Sequence, residues 1–312
     1  LDNRLSFSMD YFNKKTKDLI VTGITPSTVV GNTASPVNAG NITNKGFEFE
    51  IGWQDRKGDF SYGVRANLST LKNEVTYIHE SLDRLPGTSF HTYGAITSFE
   101  VGKPAWYFYG YKSAGIDKQT GDPLFYDKDG NITSAPTAND KTDIGKGMAD
   151  VNYGITLNAA YKGFDAIVFG TGAIGNDIFC CLNRTDYYVN KLTALTDNRW
   201  KTSNTPEQNA KATNPRAGAN GMDAYMTSDA MVYDGSYFKI KQIQLGYTLP
   251  KNLLKKANIE NVRVYGSLED FFTFTDYPGF DPEVTGVGSA LGVDKGSYPN
   301  SKKVVFGLNI TF

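Results

Sequence analysis

Few residues in this sequence have the types and spacing that catalysis or metal binding requires. Its two histidines, His79 and His91, stand twelve positions apart with no cysteine or metal-ligand spacing near them. They are expected to be solvated loop residues and not a zinc site or an acid–base pair. Cys180 and Cys181 are adjacent, and neighbours can bridge only through a strained eight-membered ring, so no disulfide framework is expected. Ser, Asp and Glu are plentiful without forming a nucleophile elbow or a triad signature. Asp281 and Glu283 are paired carboxylates of the kind glycosidases use, but such pairs are common in loops. In YDKDGNITS, Asp127, Asp129 and Asn131 alternate around Gly130 like part of an EF-hand. Setting Gly130 at the loop glycine puts Phe125 where the first Asp belongs and Pro136 where the closing Glu belongs. A turn built from Asp and Gly is the expectation. No catalytic, cofactor or metal site is expected.

Aromatic residues stand out instead, with 19 Tyr and 19 Phe in 312 residues. Tyr187, Tyr188, Trp200, Tyr225, Phe280 and Tyr298 fall on long connecting segments. An aromatic face buries apolar area while keeping a polar tip, which suits contact with a sugar, a peptide or a partner protein. These six are the candidate substrate or partner contacts. The competing reading is that large loops pack their own aromatics as miniature cores.

The elements that position them are strands with an alternating apolar face. In SKKVVFGLNITF, residues Val304, Phe306, Leu308, Ile310 and Phe312 share one face. Leu5, Phe7, Met9 and Tyr11 repeat the pattern, as do Phe47, Phe49, Ile51 and Trp53. Phe60 to Leu68, Val151 to Tyr161 and Phe164 to Gly172 complete two clear hairpins. Strands are also expected in 97–101 and 105–115, around a Gly102–Pro104 turn. SYFKIKQIQLGYTLP changes parity between Ile240 and Ile243, which predicts a bulge. KNLLKKANIE reads as one or two helical turns before NVRVYGSLEDFFTF.

Ten strands result, and their connections alternate short and long. The short ones follow Gln54, Val101, Tyr161 and Leu249; the long ones follow Tyr11, Leu68, Gly115, Gly172 and Phe274. Outer-membrane barrels distribute their turns in this way, with short periplasmic turns and long extracellular loops. Glu48, Glu50, Arg65, Asn158 and Arg263 fall on the polar faces, where they could line a path or anchor a plug. Trp53, Tyr161 and Tyr247 suit interfacial girdles. No stretch approaches the ~18 apolar residues of a spanning helix, which leaves a barrel open. A net charge of −1 gives no basic footprint for nucleic acid.

Several stretches together resemble one family, the SusC-like (SusC/RagA) TonB-dependent transporters of the Bacteroidetes outer membrane. They are FEVGKPAWYFYGYKSAGID, YKGFDAIVFGTGAIGNDIF, SDAMVYDGSYFKIKQIQLGYTLP and GFDPEV…SYPNSKKVVFGLNITF, in the family's C-terminal order and spacing. RLSFSMDYFNKKTKDLI and NKGFEFEIGW resemble its preceding strands. The resemblance implies an all-β, antiparallel transmembrane barrel of 22 strands with a plug, energised by TonB and importing glycans or peptides under a SusD-like lipoprotein. Residues 1–312 would supply about the last ten strands; the plug, TonB box, signal peptide and earlier strands lie outside them. A structural role for Asp281 and Glu283 is expected, because GFDPEV is shared with the family.

The resulting expectation is a non-enzymatic transport protein of the bacterial outer membrane, in contact with lipid, a SusD-like lipoprotein, TonB through the N-terminal region, and a glycan or peptide. Two readings compete with it. A soluble, carbohydrate-binding β-sandwich would bury its apolar face. A small barrel enzyme would need both histidines near the extracellular rim.

Overall fold

Alternation of apolar and polar side chains becomes, in a computed structural model of the chain, one broad sheet and a separate cap. The structure describes residues 2, 4–21, 37–80, 82–184, 193–255, 259–283 and 286–312. The wall strands are β1 (Leu5–Val21), β2 (Val37–Lys57), β3 (Phe60–Thr70), β4 (Lys72–Ile78), β5 (Val151–Tyr161), β6 (Phe164–Ile174), β7 (Tyr237–Thr248), β8 (Asn261–Thr275) and β9 (Lys303–Thr311). They pair antiparallel in the order β1-β2-β3-β5-β6-β7-β8-β9, with β4 also on β2. Because β3 pairs with Glu48–Lys57 and β4 with Gly40–Lys45, the two run along the same side of β2. The wall is therefore eight positions wide.

Register confirms that the apolar parity is shared across strands. Val64, Leu157, Val168, Ile243, Leu268 and Val304 lie on one row. The face they share is exposed: Val304 on this row is 56% exposed, and on the neighbouring row Leu245 is 64% and Phe306 84%. A soluble sandwich would bury this face, so that alternative is overturned. Aromatics border the band at both levels. Phe60, Tyr161, Phe164 and Tyr247 stand beside the short turns, and Tyr153, Phe238 and Phe274 stack in sequence nearer the long connections. From Phe60 to Leu68 the strand rises about 27 Å at ~3.4 Å per residue, which a tilt of ~40° projects to roughly 20 Å of membrane thickness. Beyond that band β1 and β2 continue with β4 alongside β2, and Leu19 and Ile42 there pack against the buried cluster of Val75, Leu85 and Phe99.

The short turns fit their geometry. Tyr161 pairs with Phe164 around Lys162 and Gly163, which carry φ values of 47° and 90°. Two successive positive φ values make the twisted two-residue turn that antiparallel neighbours favour. The expected bulge falls at Lys241, where the register slips between Ile240 and Gln242 against both β6 and β8. One extra residue lets Lys239, Gln242 and Gln244 share the polar face while Ile240, Ile243 and Leu245 share the other. Lys251–Leu254 forms the single helical turn before β8.

The long connections after β4, β6 and β8 fold together as the cap. Its core holds Phe90, Ile96, Phe108, Phe125, Phe179 and Met226, all fully buried. Here lies one correction. Residues 97–101 and 105–115, expected in the wall, belong to the cap: Thr97–Phe99 and Tyr107–Gly110 pair in a small sheet with Leu85–Pro86 and Thr142–Gly145. Thr97, Ser98 and Phe99 are buried in succession, as are Tyr107 and Phe108. A wall strand would turn every second residue to lipid. The ten expected strands thus become eight wall positions plus a cap hairpin.

Candidate functional site

The six aromatic candidates separate into distinct groups. Tyr225 sits in the cap core at 4% exposure, where burial pushes its phenol up to about 12. Trp200 is half-buried; its ring covers Gly121 and its indole N–H donates to the Lys118 carbonyl at 2.9 Å. Both pack as the miniature-core reading expects. Tyr187 and Tyr188 lie outside the described residues. Phe280 and Tyr298, at 65% and 89% exposure, remain bare.

Those two belong to the connection between β8 and β9, and ion pairs fix its base to the wall. The Lys239 ammonium, 2% exposed, donates to Asp281 Oδ2 at 2.9 Å and Glu283 Oε2 at 2.7 Å. Lys241 reaches the same Glu283 oxygen at 2.6 Å and Asp270 at 3.3 Å. Asn300 closes the knot from the far end of the connection: its backbone N–H donates to Asp281 at 3.1 Å and its side-chain amide to Glu283 at 2.9 Å. Burial alone would raise both carboxyls, yet hydrogen bonds from Lys239 outweigh it, helped by the Glu283 and Asn300 amides at Asp281 and by Lys241 at Glu283. Both are held below their ordinary range. The paired carboxylates are thus structural, without the open flanks a glycosidase pair needs.

Sequence reasoning did not single out Lys239. Two lysines at alternate positions in a strand read as an ordinary polar face, and their partners lie more than forty residues away. The bulge at Lys241 was the available signal.

On the polar face, Arg65 lies 3.7 Å from Glu50, and the Asn158 amide covers Gly63. Arg263 crosses Gly246 to donate to Asp165 at 3.0 Å. Asp127 closes its turn by accepting from the backbone of Asp129 and Asn131 at 2.9 and 2.8 Å. Among the described residues no cluster of His, Cys, Asp and Glu is arranged to hold a metal. His91 meets Arg184 with no nucleophile between them. A concavity of about 550 Å³ lined by Phe60, Ala159, Phe164, Leu245, Val264 and Phe306 lies on the apolar face. Its position makes it a lipid-side groove.

A wall with a bare apolar face, a polar reverse and a cap on one rim is matched by a family model. The model for the TonB dependent receptor-like β-barrel covers residues 1–269. The chain belongs to the TonB-dependent receptors. Its apolar face is therefore lipid-facing, its polar face lumenal, and its location the outer membrane of a bacterium. TonB-dependent receptor P3 of Formosa agariphila is 32% identical over all of this chain and 33% of its own length. TonB-dependent receptor SusC of Bacteroides thetaiotaomicron is 28% identical over all of this chain and 30% of its own. The solved RagAB peptide transporter superimposes with a TM-score of 0.84 at 25% identity, covering all of this chain and 33% of that one. Its type is SusC-like, and the chain spans about a third of the relatives it matches.

Proposed function

We propose that this chain is the C-terminal part of the barrel wall and cap of a SusC-like importer. The assembled transporter moves glycans or oligopeptides across the outer membrane, drawing energy through TonB and working with a SusD-like lipoprotein. No bond is made or broken in that cycle. The observation carrying this reading is the division of labour between faces: lipid-facing Leu245 and Phe306 on one side, Arg65, Glu50 and Arg263 on the other. Similarity to SusC and to a solved peptide transporter supports it. Exposed Phe280 and Tyr298 are the contacts we assign to ligand or lipoprotein.

The test is uptake by cells expressing the full-length protein, with labelled oligosaccharides and peptides offered in parallel. Accumulation should stop when TonB is deleted, and a surface lipoprotein should co-purify in detergent. Uptake that persists without TonB would remove the active-import reading.

A further inference from the structure

We infer that Lys15, Lys45 and Lys72 form a docking site for a lipid headgroup phosphate on the outside of the barrel, in the leaflet nearest the cap. The inference rests on the lipid-facing side of the wall and not on what the transporter carries.

Three observations carry it. The first is height. Along β1 the outward residues run Met9, Tyr11, Asn13, Lys15, and along β2 they run Phe49, Phe47, Lys45, Thr43, with Tyr11 against Phe47 and Lys15 against Thr43. From β3 into β4 they run Leu68, Thr70, Lys72. The lysines are thus the first charges above the apolar band, on the same face as it. Two to four residues past Tyr11 is a rise of roughly 5–10 Å at the tilt of such strands. That matches a headgroup layer about 5–8 Å thick on each side of the hydrocarbon.

The second is register. Lys45 lies directly opposite Lys72 across β2 and β4, with Cβ atoms about 5 Å apart, and like charges so placed destabilise a sheet. Lys15 stands diagonally from Lys45. All three are exposed, and among the described residues none of them makes an ion pair. Glu74, the carboxylate on this patch, lies opposite Thr43 and pairs with none of the lysines. A phosphate between the lysines turns their repulsion into attraction, and it is the anion that membrane lipids present at this depth. The third observation is that the patch is local and has depth. At the corresponding ends of β7 and β8, Phe238 and Phe274 stack on each other and carry no charge. Beside Lys72 opens a concavity of about 490 Å³, lined also by Glu74, Pro104, Lys146 and Met148, where a headgroup can settle above its acyl chains.

The test uses the full-length protein in mild detergent and three probes: monophosphoryl lipid A, the same lipid with its phosphate removed, and inorganic phosphate. Native mass spectrometry should show the phosphorylated lipid bound, with affinity about fivefold lower in Lys45→Ala and in Lys72→Ala, the size of one lysine's attraction at a charged membrane surface. Affinity should also fall as salt rises, and Lys45→Arg should retain it. Lys14→Ala, on the lumenal face of β1 opposite Asn44, should leave it unchanged. Melting temperatures of the two alanine variants in lipid-free detergent should not fall, since each substitution removes a like-charged neighbour. Equal binding of the dephosphorylated lipid would mean that the apolar wall alone holds it, and overturns the site. Undiminished binding by both alanine variants overturns it as well. Inorganic phosphate that displaces the lipid at equal concentration overturns the lipid assignment in favour of a simple anion site.

Discussion

The ammonium of Lys239 and the carboxylate of Asp281 meet at 2.9 Å, forty-two residues apart in the chain. A strand in the wall thereby holds the connection between β8 and β9. Lys239→Ala leaves two carboxylates beside a buried vacancy, and losing one partner of a buried pair costs about 3–5 kcal/mol. Limited proteolysis of the full-length protein should show new cleavage between residues 276 and 302, with a lowered Tm. An unchanged digestion pattern would dismiss the tether.

Acid should loosen the same knot. Asp281 and Glu283 are held below ordinary values of 3.8 and 4.5. Depressed carboxyls contribute stability that is present above those ordinary values and is lost as pH falls through the lower folded ones. Hydrogen exchange of the 276–302 connection should be flat from pH 7 to 5 after correction for intrinsic rates, and rise only below about pH 4. A rise near pH 6 would implicate a different group.

Lipid exposure makes adjacent residues unequal. Leu245 faces outward and Gln244 inward. Leu245→Arg should destabilise the folded barrel in vesicles by about 2–4 kcal/mol, whereas Gln244→Arg should change it by less than about 1 kcal/mol. Urea titration of the two variants measures the difference, and equal losses would refute the facing assigned to this strand.

Gly246 leaves a passage for the Arg263 guanidinium on its way to Asp165. A Cβ there would lie 2.5 Å from Arg263 and 2.6 Å from Asp165. Gly246→Val should lower stability by about 1–3 kcal/mol through overpacking. In an Arg263→Ala background the same change should cost less. Full additivity between the two substitutions would argue against contact.

Cys180 and Cys181 are buried free thiols, and burial raises both. At pH 7.5 a maleimide should label neither in the folded protein and both after denaturation, because the thiolate is the reactive form. Rapid labelling of the native protein would contradict the packing of the cap.

The faces of the wall were legible because a two-residue period is written locally: Phe7 and Met9, or Leu308 and Ile310, need no distant information. KNEVTYI was harder. Its apolar residues do not alternate cleanly, and it falls in the long connection expected after Leu68. The pair at 97–115 misled for a different reason. Any strand with one buried face looks alike, and removing two consecutive strands leaves the short–long order of turns unchanged. What separates Thr97–Phe99 from a wall strand is burial of both faces, which comes from Val75, Leu85 and Trp106 packing on Phe99 and from Ser289 meeting Thr97. Tyr225 and Phe280 likewise look equivalent in sequence, and only tertiary contacts bury one and bare the other. Lys239 with Asp281 is the extreme case, a pairing without a local trace.

The alternation of turns has an evolutionary corollary. Material can be inserted at the capped rim in whole hairpins, as at 97–110, and the wall keeps both its register and its two faces. Insertion of a single strand would exchange the rims for everything downstream. Only the wall is bound by that parity: among the described residues the connection from β4 to β5 carries seven short cap strands, so the exterior can vary freely while the staves beneath it keep their count.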